Sequence, residues 1–301
     1  MRILMPIDGS SYSKAAVAFI ASRATLIKSQ PDVELLNVQY RIPLRAARAL
    51  GKEMVVSYQA SEANRALKPA LATLKRADLK ASARYVVGTV ANELAAIVAA
   101  DAADLIVMGS HGDTGLRKLL MGSVASTVMA SCTTPMLVMR GKFPTKKDSL
   151  KLAIALDGSK YGVAAVRFFV KHRDFFGAAP AVALVHVVPD LSSLVVPGFL
   201  GRVPVPNLKS EQVEAMQGAA FENAMAPARK LLERAGMAST EIRLLGNNPG
   251  DQIAAYATKN KLDLIALGSH GQGALESAVL GSVATRIAAK CQVPLLFVRE
   301  K

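Results

Sequence analysis

The sequence predicts an α/β protein: two tandem doubly wound parallel sheets of five strands, one in each half of the chain. Three observations predict it. The chain repeats itself once at the length of a whole domain. Each copy alternates short β-branched runs with longer amphipathic stretches. Strand runs such as Leu105-Ile106-Val107-Met108 and Leu264-Ile265-Ala266-Leu267 are apolar at every position, the pattern of a strand buried on both faces of a parallel sheet. A chain of 301 residues is long enough for two such domains.

The repeat is read directly from the residues. Asp8-Gly9-Ser10 returns as Asp157-Gly158-Ser159, Gly109-Ser110-His111-Gly112 as Gly268-Ser269-His270-Gly271, and Gly122-Ser123-Val124-Ala125 as Gly281-Ser282-Val283-Ala284. Cys132, Pro135 and Arg140 correspond to Cys291, Pro294 and Arg299. The offset grows from 149 residues at the start to 159 at the end, so the second copy carries an insertion of 10, placed most naturally in the Pro-containing stretch 189–208. The short, polar and punctuated segment 141–148 reads as a linker, which divides the chain into domains 1–142 and 149–301.

Within the first copy, β-branched runs predict strands at 2–7, 33–40, 81–87, 104–108 and 135–140. Helical periodicity predicts helices near 13–27, 58–74, 90–100 and 123–131. The second copy predicts strands at 151–156, 181–188, 241–245, 263–267 and 294–299. Five strands with four crossovers make one doubly wound layer per copy. Periodicity alone does not order the strands.

Composition narrows the function classes. Hydrophobic residues at 51% and charged residues at 20% exclude global disorder. The net charge of +14 is spread over both halves, which favours anionic partners without naming one. Six Tyr, nine Phe and no Trp offer few platforms for stacking bases, and no nucleic-acid signature appears, so specific nucleic-acid recognition is not expected. Two cysteines cannot build a disulfide framework, which points to a reducing, cytoplasmic compartment. The apolar start is too short for a secretory signal and is closed by Asp8. The longest uncharged stretch, 119–139, is broken by Gly, Ser, Thr and Pro, and no membrane association is expected.

The chemistry concentrates in the glycines. Both copies carry Gly-x-x-Gly, nine residues, then Gly-Ser: Gly109, Gly112, Gly122 and Ser123, then Gly268, Gly271, Gly281 and Ser282. The first pair leaves the C-terminal end of strand four, where open α/β sheets bind ligands. Glycine there permits positive φ and close approach of a ligand. The final Gly-Ser opens a helix whose first N–H groups favour an anion. Asp8 and Asp157 close strand one in each copy. Asp-Gly-Ser is also an ordinary helix N-cap, and both roles can hold together. His111 and His270 read either as acid–base groups near a phosphate or as side chains that fix their loops; no partner nucleophile is apparent. Cys132 and Cys291 read as buried structural thiols. No P-loop lysine motif, metal-ligand spacing or nucleophile elbow occurs.

These residues resemble the universal stress proteins, specifically the tandem type with two such domains in one chain. The resemblance covers nearly the whole sequence. It rests on Asp-Gly-Ser after strand one, Gly-Ser-His-Gly with its spacing to Gly-Ser-Val, and the closing strands Pro-Met-Leu-Val-Met-Arg and Pro-Leu-Leu-Phe-Val-Arg. It implies a Rossmann-like, adenine-nucleotide-binding fold with strand order 3-2-1-4-5 in each sheet. It further implies ATP, or another adenine nucleotide, with Mg²⁺ held through the phosphates. Asp8 and the backbone of Val38 then meet the adenosine end and Gly109 lies near the ribose. Ser110, His111, Gly112, Gly122, Ser123 and Val124 line the path to the phosphates. The second copy offers Asp157, Val187, Gly268, Ser269, His270, Gly271, Gly281, Ser282 and Val283 for the same tasks. Family members commonly pair through their final strands, which implies intramolecular pairing of the two domains and leaves a homodimer open. The function implied is a nucleotide-dependent regulator of stress adaptation without robust catalysis; a slow ATPase, or another adenine-nucleotide-cleaving enzyme of the same fold group, is the alternative.

Overall fold

The computed structural model describes residues 1–27, 30–100, 103–110, 122–141, 147–190, 195–198, 201–204, 210–268 and 281–299. The first half runs β1 (Arg2–Pro6), α1 (Ser11–Ala21), β2 (Asp32–Gln39), α2 (Leu44–Leu50), α3 (Lys52–Arg76), β3 (Lys80–Val87), α4 (Val90–Ala100), β4 (Leu105–Gly109), α5 (Ser123–Ser131) and β5 (Met136–Met139). The second half runs β6 (Lys151–Ala155), α6 (Lys160–Lys171), α7 (Arg173–Phe176), β7 (Ala181–Val188), β8 (Val195–Gly198), β9 (Gly201–Pro204), α8 (Ser210–Arg234), β10 (Thr240–Leu245), α9 (Pro249–Lys259), β11 (Leu264–Gly268), α10 (Ser282–Lys290) and β12 (Leu295–Val298).

Both halves are five-stranded parallel sheets of order 3-2-1-4-5, and the two are continuous. The full order is β10-β7-β6-β11-β12-β5-β4-β1-β2-β3. Only the central step is antiparallel, with Leu295, Leu296 and Phe297 of β12 opposite Val138, Leu137 and Met136 of β5. That pairing removes two exposed edges from the molecule. The remaining edges, β3 and β10, carry charge: Arg84 pairs with Glu34 beside β3, and Arg229 pairs with Glu241 of β10.

Alternation along the strands sends successive side chains to opposite faces, and a separate core covers each face. Ile3, Met5, Leu105, Val107, Leu137 and Met139 pack on one face with the α1 residues Phe19 and Ile20 and the α3 residues Ala63 and Leu67. Leu4, Ile106, Met108, Met136 and Val138 pack on the other, under Leu94 of α4 and Val128 of α5. Each core continues through residues of both halves. Phe19 meets Phe175 edge-on at 5.5 Å between centroids, and Arg23, 1% exposed, lies over the Phe19 ring and donates to the Lys147 carbonyl. The halves therefore share apolar cores as well as a sheet.

The structure adds α2, α7, β8 and β9, which the sequence pattern did not predict, and shifts others. The first helix stops at Ala21; the turn that follows is held by Arg23 N–H on Ile20 O and Leu26 N–H on Arg23 O, and it delivers Arg23 to the shared interface. The long third helix starts at Lys52 rather than near 58, because its first turns leave Met54 and Val56 exposed and so lack the one-sided periodicity that marks a helix. The extra residues of the second copy also divide. Gln59 donates to Tyr40 O, and Gln217 makes the same bond to Pro189 O, so nine of them fall between Pro189 and Gln217, where β8 and β9 form a hairpin. The tenth falls in the short loop after β10. There Gly246 N–H bonds Val188 O as Gly88 N–H bonds Gln39 O, and Gln252 lies beside Gly246 as Glu93 lies beside Gly88.

Candidate functional site

The candidate site residues of the first half that the structure describes lie at the C-terminal ends of β1, β2 and β4 and at the start of α5. At the end of β1 the chain turns through Gly9, whose φ of +84° is the left-handed conformation that glycine adopts without strain. The exposed Asp8 folds back, its Oδ1 accepting from Ser10 N–H at 3.0 Å. Ser10 caps α1, its Oγ accepting from Ser13 N–H at 3.2 Å. The second half repeats the turn: Gly158 has φ +81°, Asp157 Oδ1 accepts from Ser159 N–H at 2.9 Å, and Ser159 caps α6. Cap and candidate ligand role thus divide between neighbours. Serine serves the helix, and aspartate bridges the turn.

Beside this turn, β2 outruns β1. Ile7 N–H bonds Leu36 O at 2.8 Å, so Leu36 directs its peptide groups toward β1. Val38, two residues on, directs its own the same way, because strand residues alternate sides. By that point β1 has turned into α1, so the N–H and C=O of Val38 face the crevice above Asp8. In the second half Leu156 N–H bonds Val185 O, and Val187 is placed alike. Both valine side chains pack into the second core, which leaves their backbone as the part a ligand can reach.

The strand-one carbonyl that ends this edge is held by a side chain that the motifs did not reveal. Asn37 Nδ2 donates to Ile7 O at 2.7 Å, and His186 Nδ1 lies 2.8 Å from Leu156 O at the equivalent place. The exchange of residue type between copies hid the pair from the repeat. Asp104 and Asp263 were legible as a repeated Asp before strand four, yet carried no motif. Asp104 Oδ2 accepts from Arg2 N–H at 2.8 Å, and Asp263 Oδ2 from Lys151 N–H at 2.9 Å, anchoring the opposite end of strand one. Burial opposes ionisation of Asp104, but the Arg2 N–H, Lys171, His172 and the N-terminal amine together hold its carboxyl below the ordinary range.

At the end of β4, Ser110 is 2% exposed. Its N–H bonds Met139 O at 2.9 Å, and its carbonyl accepts from Gly122 N–H at 2.8 Å. The strand end and the start of α5 are thereby joined. Gly122 (φ −62°, ψ 154°) and Gly281 (φ −63°, ψ 151°) are the N-caps of α5 and α10, and neither helix has a side-chain cap bond. Their first N–H groups remain for an external acceptor, in contrast with the serine-capped α1 and α6. Val124 and Val283 pack against the second core, so they offer backbone, while Ser282 is exposed.

The glycine reading needs correction on one point. Gly109 and Gly268, the described members of the pairs expected to use positive φ, do not adopt it; that freedom is used at Gly9 and Gly158. Gly109 is small because α1 lies against it, a Cβ there falling 2.5 Å from Tyr12 Cβ. His111, Gly112, Ser269, His270 and Gly271 lie outside the described residues, as does the side chain of Ser123. Cys132 and Cys291 are 4% and 5% exposed, and burial pushes both thiols up, as inert structural cysteines require. A cleft of about 760 Å³ also opens beside the Asp8–Gly9 turn, between α1 and α3, with Lys14, Asn37, Gln39 and Arg65 in its wall. Among the described residues, no helix is long and apolar enough to cross a membrane, and no cluster of three His, Cys, Asp or Glu side chains could hold a metal.

Comparison with known proteins follows the same division. The family model described as the universal stress protein family matches residues 1–140 and again 150–299. A universal stress protein of Methanocaldococcus jannaschii is 32% identical over 143 residues, 46% of this chain and 81% of that protein. One of Mycolicibacterium smegmatis is 24% identical over 305 residues, 99% of this chain and 97% of that protein. The crystal structure of a universal stress protein from Archaeoglobus fulgidus superposes with a TM-score of 0.70 at 18% identity, covering 100% of this chain and 98% of that one, which shows the fold. The chain belongs to the universal stress protein family, with the family unit present twice.

Proposed function

We propose that each half, 1–142 and 149–301, binds an adenine nucleotide, ATP with Mg²⁺ carried on its phosphates, and that the protein acts as a nucleotide-dependent regulator in stress adaptation. The observation that carries the reading is the pair of glycine-capped helices. α5 and α10 begin without a side-chain cap at the C-terminal edge of the sheet, where peptide N–H groups and the helix dipole favour phosphate oxygens. Ser123 and Val124 supply those groups in the first half, where Gly122 N–H is already held by Ser110 O and Gly122 leaves room for the phosphate to approach, and Gly281, Ser282 and Val283 supply them in the second. Asp8 and Asp157, with the peptide groups of Val38 and Val187, supply a carboxylate, donors and acceptors for the adenosine end. Nucleotide acts as a regulator only by binding two conformations unequally.

The test begins with freshly purified protein, denatured so that any released nucleotide can be identified and counted per chain. Calorimetry with Mg·ATP follows on stripped protein. Adenine nucleotide and saturable heat are expected, with little turnover over hours. Absence of both heat and thermal shift overturns the binding reading, and rapid steady turnover replaces the regulator by an ATPase.

A further inference from the structure

The two halves are cross-braced behind their sites. Arg140 follows β5, is 1% exposed, and reaches out of its own half: its Nη2 donates to Ala288 O at 2.5 Å, a carbonyl in the last turn of α10. Arg299 follows β12 and does the reverse, its Nη1 donating to Met129 O at 2.9 Å and Cys132 O at 3.3 Å, at the end of α5. The last carbonyls of a helix have no partner within it and carry its negative dipole end, so a guanidinium suits that position. The antiparallel β5–β12 pair sets the approximate two-fold that carries each arginine across. Gly141, at φ +56° and with a Cβ that would lie 3.0 Å from Gln292 O, seats the chain after Arg140 on the other half.

Each braced helix is also a candidate phosphate helix. α5 and α10 have nine residues each, rods of about 14 Å that cannot tilt at one end without moving the other. Arg140 is joined to its own half's site through Met139 O, Ser110 N–H, Ser110 O and Gly122 N–H. Its guanidinium meanwhile holds the far end of the helix that opens at Gly281. In the second half, Val298 lies opposite Gly268 directly before Arg299. We infer that Arg140 and Arg299 are positioning residues that act in trans, each fixing the anion-binding helix of the opposite half, so that the nucleotide affinity of one half depends on the arginine of the other. This deepens the proposed function and rests on it.

The test uses the full chain with one site disabled, Asp8→Ala leaving the second and Asp157→Ala the first. Calorimetry with Mg·ATP is run with and without Arg140→Gln or Arg299→Gln. A crossed pattern is expected: Arg140→Gln weakens the second site by at least about fivefold and the first by less than about twofold. Arg299→Gln does the opposite. Amide hydrogen exchange without nucleotide is expected to rise in α10 for Arg140→Gln and in α5 for Arg299→Gln. Arg140→Lys, which keeps the charge at the helix end but loses the fork, should fall between wild type and Arg140→Gln, and it carries the same readings should the glutamine variant not fold. Equal losses at both sites, or a loss confined to the arginine's own half, overturn the inference. Should the unmodified chain bind no Mg·ATP, the functional reading fails, and the exchange pattern alone decides the bracing.

Discussion

Tyr12 closes on Gly109 so tightly that the first turn of α1 occupies the place where a side chain at 109 would begin. A Cβ there would lie 2.5 Å from Tyr12 Cβ and 3.2 Å from Ser13 N. One contact therefore sets the distance between the Asp8 turn and the end of β4, the two parts of the crevice. Gly109→Ala is expected to push α1 outward, at about 1–3 kcal/mol of stability, measured by urea denaturation. It should weaken Mg·ATP binding in the first half and leave the second half unchanged.

The helix caps beside each site separate stability from binding. Ser10→Ala removes the 3.2 Å bond to Ser13 N–H and should cost about 1 kcal/mol. Ser159→Ala removes a longer bond, 3.5 Å to Gly162 N–H, and should cost less. Neither serine is assigned to nucleotide, so calorimetry on both variants should return wild-type affinities. A cap variant that folds normally yet fails to bind would contradict the division of roles between Asp and Ser.

The two sites should differ in strength. Between its glycines the first copy carries Arg117 and Lys118 against Asp113, a net positive charge, and the second carries Glu276 with Ser277 and no cation. Cations near a triphosphate attract it, and a carboxylate repels it. In the full chain, Asp157→Ala, which leaves the first site, should bind Mg·ATP more tightly than Asp8→Ala, which leaves the second. The gap should narrow as salt rises.

His172 makes stability sensitive to mild acid. Burial lowers its pKa below the ordinary 6.5, and Lys171 and the N-terminal amine add to the effect against the opposing Asp104. As pH falls below about 6.5, the unfolded chain takes up a proton that the folded imidazole resists, so stability drops until the folded pKa is passed. Urea midpoints of wild type should fall between pH 7 and 5. His172→Gln should flatten that slope.

Much of the architecture was legible because it depends on local rules repeated twice. Apolar strand runs, the glycine spacings and the Asp-Gly-Ser turns follow from what each residue's backbone and side chain permit, and the duplication doubled every signal. Asn37 and His186 were not legible, since both satisfy one carbonyl with unlike side chains. α2 and the first turns of α3 were missed because exposed helix has no apolar stripe to read.

By itself, then, the sequence determined two α/β layers, their tandem order and the glycines at which α5 and α10 begin. Periodicity reports which faces are buried and says nothing of what buries them. Only the tertiary structure decided that β5 and β12 fuse the layers into one sheet, that Gly109 yields to Tyr12, and that Arg140 and Arg299 cross to the opposite half. Those relations arise between residues far apart in the chain, where packing and unsatisfied carbonyls select a partner that no local pattern encodes.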